Sequence, residues 1–306
     1  GDQNTAMGRE SSFSLTTGQY NAAFGSGSLY TNSTGSNNTG IGRGSLTGNT
    51  TASDNTAVGY QSLASNTTGT RGVAVGALAL GANTTGNDNV AVGGGTSGVS
   101  FAALASNTTG AKNTAIGNSA LGANTTANNN TAVGYAALLD NTTGANNTAI
   151  GYAALDANTT ANNNSALGYS ALGSNTTGSN NVSMGQGSSG ANTTGSNNIA
   201  LGRSALGANT TASNNTAVGH EAGNDITTGI QNTLVGGLAG DAITDADYNV
   251  AVGYGSLGAN TVGSRSVAIG FNALEVQNPA TAANMYNVAV GSSAGAAVTT
   301  GIQNST

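Results

Sequence analysis

Asn130-Thr131-Ala132-Val133-Gly134-Tyr135-Ala136-Ala137-Leu138-Leu139-Asp140-Asn141-Thr142-Thr143-Gly144-Ala145-Asn146 is followed at once by Asn147-Thr148-Ala149-Ile150-Gly151-Tyr152-Ala153-Ala154-Leu155-Asp156-Ala157-Asn158-Thr159-Thr160-Ala161-Asn162-Asn163. The second stretch repeats the first, position by position. The glycine of Asn-Thr-Ala-Val-Gly anchors the repeat and recurs at Gly8, 25, 42, 59, 76 and 93, then from Gly117 to Gly270, and last at Gly291. Every step matches that from Gly134 to Gly151 except two: Gly93 to Gly117 is longer by seven, and Gly270 to Gly291 by four. Periodicity of this kind marks a repeat architecture. Seventeen residues are too few for a helix pair and too many for one strand. The spacing predicts an all-β, parallel β-solenoid (β-roll or β-helix) of about seventeen 17-residue coils, each with two short strands and two turns. The β-branched run before the anchor makes the first strand. Asn-Thr-Thr-Gly makes a turn.

The spacing predicts a single solenoid domain over 1–306, with insertions at 94–100 and about 275–286. At about 4.8 Å per coil, seventeen coils would make a rod of about 80 Å. The chain opens inside a repeat, so the expectation is of a segment whose native amino terminus is missing.

Comparison of copies assigns faces. The residue before the anchor is always Val, Ile, Leu, Met or Phe, and is expected to point inward. Leu four residues after the anchor is expected to face it across the core. In four copies that lack that Leu, at Gly223, Gly240, Gly295 and Ser12, an apolar residue enters three positions later, at Ile226, Ile243, Val298 and Leu15. That is compensation within one shared core. The residue two before the anchor is Ala in 14 of 17 copies. Strand alternation then turns Ala132, Ala149 and Ala166 outward, as candidates for an oligomer face packed against another chain. A coil too narrow for anything larger is the alternative reading.

Asn precedes the first strand in 15 of 17 copies, with Gly72 and Ser266 the exceptions. Stacked coils would place Asn130, Asn147, Asn164, Asn181, Asn198 and Asn215 in a structural ladder. The Asn of Asn-Thr-Thr would form a second column. Each such triplet is also a glycosylation sequon, and a structural column is the preferred reading.

Ser266-Val267-Ala268-Ile269-Gly270 and Asn249-Val250-Ala251-Val252-Gly253 resemble the head repeats of trimeric autotransporter adhesins and the repeats of phage tail-fibre proteins, although the adhesin repeat is shorter. The resemblance implies three chains joined in a fibre that binds host surfaces. The function expected is therefore a structural or adhesive segment of a fibre, extracellular, at a cell surface or on a virion. Its partner would be itself, as a homotrimer or a head-to-tail filament. A host-surface glycan or protein is a further partner, and Tyr135, Tyr152 and Tyr169 form the candidate binding column. The alternatives are a subunit of a self-assembling extracellular filament and, behind it, an ice-binding solenoid.

The remaining residues argue against other classes. Six Lys and Arg against twelve acids give a net charge of −6, unsuited to a phosphate backbone, so no nucleic-acid partner is expected. No apolar run reaches the length of a membrane span, so no membrane insertion is expected. With no Cys and a single histidine, His220, there is no material for a triad or a thiolate metal site, and neither an enzyme nor a cofactor is expected. Asp241, Asp245 and Asp247 form the one acidic cluster, read as a solvated turn in preference to a weak calcium site.

Overall fold

The computed structural model describes residues 3–95 and 101–306. The chain forms two compact units, Gly1–Thr160 and Ala161–Thr306. Each unit is a parallel β-solenoid. The first carries nine three-residue strands, from Thr5–Met7 to Thr148–Ile150, and the second carries eight, from Ser165–Leu167 to Val288–Val290. Strands pair in parallel with the copy one repeat on, as in Thr39↔Thr56, Gly40↔Ala57 and Ile41↔Val58. There is no helix among the described residues.

The insertions leave this register intact. Val90 pairs with Thr114 across the first. Of that insertion, Gly94 and Gly95 are described, while residues 96–100 lie outside the described residues. The second insertion folds into the wall instead of leaving it. Gly263–Ser264 and Ala283–Asn284 form a short parallel pair. Val267 pairs with Val288 beyond it.

The strand faces are the reverse of the sequence expectation. Ala132 and Ala149 have no exposed surface and Ala166 has 2%. All three sit in the interior of the coil and cannot form an oligomer face. The apolar residue before the anchor points outward, with Ile116, Ile150 and Leu167 about two-fifths exposed. The physical reason is the width of the coil. A three-residue strand has one inward position, its centre, and Leu already fills the lumen from the opposite wall. Only a methyl group fits between.

That opposite wall is not a second strand. The Leu position carries Leu in twelve copies, Ser in two and Gly in three, and never Val or Ile. All seventeen residues there have positive φ, between 46° and 64°. Left-handed backbone is strained for an ordinary side chain and worst for a β-branched one, so the choice narrows to a γ-branched apolar residue or to small ones. Hydrogen bonds from coil to coil hold the conformation: the N–H of Leu63 donates to the carbonyl of Ala79, and that of Leu138 to Ala154, both at 3.0 Å.

The compensating copies follow from the same geometry. Ile226 and Ile243 are fully buried beside Leu206 and Leu234. Leu234, in place of the strand-centre Ala, fills the space vacated at two glycines. A Cβ on Gly223 would stand 2.6 Å from a Leu234 methyl carbon, and one on Gly240 would stand 2.9 Å from another. The anchor glycines are constrained more tightly. Gly134 has φ +135°, and a Cβ there would lie 2.3 Å from the carbonyl oxygen of Gly151.

Leu138→Ile keeps the volume but places a β-branched residue at positive φ. It should destabilise the protein by about 1–3 kcal/mol, whereas Leu138→Met, unbranched at Cβ, should cost less. Urea denaturation of both variants checks the ranking; equal stability would contradict the backbone account.

Candidate functional site

The outward strand face of each unit is uncharged along its strands. It holds two columns, the first and third residues of every strand. The first column carries Thr, Val, Ile, Ser or Ala, and the third carries only Val, Ile, Leu, Met or Phe. No charged residue occurs in either column in any copy. In the first unit Ile41, Val75, Ile116 and Ile150 are exposed, and the residues between them are half-buried. In the second, Leu167, Met184, Ile269 and Val290 are exposed. Contiguous apolar surface is a general mark of interaction sites. Sequence reasoning missed it because the faces were assigned in reverse. The signal was present in the absence of charge from both end positions of each strand.

The tyrosine column follows the anchor. Tyr135 and Tyr152 stack in the first unit, with ring centroids 5.3 Å apart and planes inclined by 15°. Tyr169 lies in the second unit and is 55% exposed. Stacking of Tyr135 on Tyr152 covers one face of each ring, and both tyrosines keep about half of their surface exposed. Elsewhere the same column holds Tyr254 stacked on Phe271, and Arg43 over the Tyr60 ring.

Both asparagine columns form. In the ladder before the strand, the backbone N–H of each Asn donates to Oδ1 of the Asn one coil earlier. Asn147 donates to Asn130 at 2.9 Å, and Asn181 to Asn164, Asn198 to Asn181 and Asn215 to Asn198 at the same distance. The side-chain amide closes its own coil, as where Asn130 donates to the carbonyl of Gly144. Because the donor along the column is backbone, Gly72 and Ser266 still join it, donating to Asn55 and Asn249. In the Asn-Thr-Thr column the amides bond one another directly, as from Asn141 to Asn124 at 3.1 Å and from Asn192 to Asn175 at 2.8 Å. These amides are fully buried, so in the folded chain no glycan fits on Asn124, Asn141 or Asn192. The column stops where Ile226 replaces Asn, and Oδ1 of Asn209 is left buried without a partner. Beyond the break, Gln277 takes the column position and accepts from Ser266 and Asn287.

A third ladder has no counterpart in the sequence expectations. The variable residue after Asn-Thr-Thr-Gly accepts from the backbone N–H one coil earlier. Ser36 donates in this way to Ser53, Thr70 to Asn87, and Ile230 to Asp247. Ser, Asn, Thr or Asp serves as acceptor because a short side-chain oxygen suffices, while Gln19, Ala111, Ala145, Ile230 and Ile302 hold the position in other copies, and that is why no consensus letter marked it.

The acids are dispersed over different walls. Asp241 lies on the turn-rich wall, Asp245 takes the exposed place of a Thr, and Asp247 serves the third ladder. Among the described residues no three His, Cys, Asp or Glu side chains are placed to hold a metal ion. His220 lies beside Arg203 and Glu221 on the surface. Asp140 and Asp156 occupy neighbouring coils, the N–H of Asp140 donating to the carbonyl of Asp156. Burial pushes the Asp156 carboxyl above its ordinary value, and the charge of Asp140 adds to the shift.

Comparison with protein-family models and with curated proteins found no match.

The Asp156 shift predicts a pH dependence. A raised carboxyl pKa means that the folded chain holds the proton more tightly than the unfolded chain. This contribution to stability is fully present below the unfolded value, near 3.8, and is lost as pH rises through the folded value. Asp156→Asn should therefore raise the melting temperature at pH 7 and confer little at pH 3. Thermal melts at the two pH values test this; a variant less stable than wild type at pH 7 would contradict it.

Proposed function

We propose that this chain is a structural, non-catalytic segment of an extracellular or virion fibre, and that it associates with copies of itself through the outward strand face. The observation that carries the reading is the third strand position, apolar and outward in every copy. A partner that covers such a strip has to present matching surface at the same coil spacing along its whole length. A second copy of the chain does so by construction. The resemblance of Ser266–Gly270 to adhesin heads favours three copies over two.

Magnitudes support an extended contact over a local one. Burying the surface still exposed on one outward Val or Ile contributes about 1 kcal/mol. Association costs about 4–15 kcal/mol in lost freedom. Two or three coils do not offset that cost, while the nine coils of the first unit reach it. Adhesion to a host surface would then fall to whatever the assembled fibre exposes, including the tyrosine hydroxyl row.

Sedimentation of the chain over a wide concentration range tests the reading. The expected result is a stable species near three times the 29.3 kDa chain mass. Ile116→Lys with Ile150→Lys should yield a folded monomer with an unchanged circular dichroism spectrum, since both side chains already face solvent. Tyr135→Ala should leave the oligomer intact. A wild-type chain that stays monomeric throughout would overturn the proposal.

A further inference from the structure

The asparagine-rich turns give the chain two sets of N-glycosylation sequons, and burial separates them. Asn-Thr-Thr occurs in ten copies, from Asn49 to Asn209, and every one of these asparagines is buried. Where the column is continuous, both N–H groups of the side-chain amide are engaged. Nδ2 of Asn66 donates to Oδ1 of Asn49 at 2.9 Å and to the carbonyl of Gly69 at 2.8 Å. Nδ2 of Asn141 donates in the same way to Asn124 and Gly144. Beside these amides there is no room even for a methyl group. A Cβ on Gly110 would stand 2.4 Å from Oδ1 of Asn107 and 3.0 Å from Nδ2 of Asn124.

The other set is exposed. Asn37-Asn38-Thr39, Asn129-Asn130-Thr131, Asn146-Asn147-Thr148, Asn163-Asn164-Ser165 and Asn214-Asn215-Thr216 also have a hydroxyl residue two places on. The first asparagine of each stands exposed at a turn, with φ between 59° and 62°. Its backbone is held while its side chain is not. The N–H of Asn129 donates to the carbonyl of Ala111 and that of Asn214 to Ser196, both at 3.1 Å. The side-chain amides of Asn129, Asn146 and Asn214 make no hydrogen bond among the described residues. Thr131, Thr148 and Thr216 open the strands that follow and take the outward position there, so acceptor amide and sequon hydroxyl both reach solvent.

We propose that Asn37, Asn129, Asn146, Asn163 and Asn214 are the N-glycosylation sites of the folded chain, and that a sugar placed earlier on an Asn-Thr-Thr amide prevents folding. The substrate class is a nucleoside-diphosphate hexose. Nδ2 attacks the anomeric carbon and a C–N bond forms. The C–O bond to the diphosphate breaks, the nucleoside diphosphate leaves with the electron pair, and the amide proton passes to a base of the transferring enzyme. On Asn129, Asn146 or Asn214 this removes no hydrogen bond from the coil. On Asn141 it removes a donor from the buried ladder and adds a bulky polar group where no space exists. In the unfolded chain both sets are accessible, and the order of folding and glycosylation decides the outcome. That order suits a fibre whose coils close before a glycosylating enzyme reaches them. No strand residue takes a sugar, and the assignment holds whether or not copies associate through the strand face.

A sequon-specific N-glucosyltransferase with UDP-glucose tests the assignment in two arms, read by site-mapping mass spectrometry and circular dichroism. In one arm the enzyme acts on the purified, folded full chain; in the other it is co-expressed with the chain in a bacterial cytoplasm. The folded chain should take glucose on the turn asparagines and keep its spectrum. Occupancy of Asn129, Asn146 and Asn214 should exceed that of Asn124, Asn141 and Asn192 about tenfold or more, because the buried amides are reached only when the coil opens. On co-expression, glucose on Asn-Thr-Thr should appear in insoluble chain alone. Soluble chain of native spectrum with glucose on an Asn-Thr-Thr asparagine would overturn the proposal. So would a folded chain whose turn asparagines stay bare, or a co-expressed chain without glucose on Asn-Thr-Thr in either fraction.

Discussion

Each coil must return its backbone to the same place once per repeat, so that its N–H groups meet carbonyls of the next coil. The other features of the structure depend on that constraint. A short circuit leaves a thin lumen, and a thin lumen admits one strand-centre methyl and one larger group from the opposite wall. The turn back requires positive φ at fixed points, which selects Gly at the anchor and Leu, Ser or Gly on the far wall. With so little apolar volume per coil, cohesion shifts to ladders of hydrogen bonds between copies. Buried amides in such ladders are favourable only while each finds its partner. The unpaired Oδ1 of Asn209 marks the place where a core substitution, Ile226, interrupts the Asn-Thr-Thr ladder.

Much of this was legible in the residues. Period and register followed from the anchor glycines, and the Asn columns from their recurrence. The exchange of Leu for Ile226 and Ile243 announced a shared core. What failed was the direction of the strand. Val before the anchor is the better hydrophobe, and burial by hydrophobicity alone assigns it to the core in preference to Ala. Lumen width reverses that order, and lumen width is a property of the closed coil that no single residue displays. The far wall was misread as a strand for a related reason. Alternation of apolar and polar residues looks the same whether φ is negative or positive. The exclusion of Val and Ile from the Leu position was the available signal.

The candidate surfaces were less legible than the fold. Tyr135, Tyr152 and Tyr169 hold the same repeat position, as their numbering implies, yet the stacking of Tyr135 on Tyr152 hides ring faces that a sequence cannot show to be hidden. Scarcity of charge is common to all these surfaces. A chain with 18 charged residues in 306 leaves long uncharged strips, and those strips are suited to packing against another surface.

Native-state amide hydrogen exchange measures the central claim most directly, because it reports whether each N–H is held by the next coil. The account predicts that the amides of Leu63, Leu138 and Leu206, which lie outside any strand, are protected as strongly as the strand amides of Val73, Thr131 and Thr216. Rapid exchange at the three Leu positions alongside protected strands would contradict it, leaving a sheet with loops in place of a coil closed on every wall.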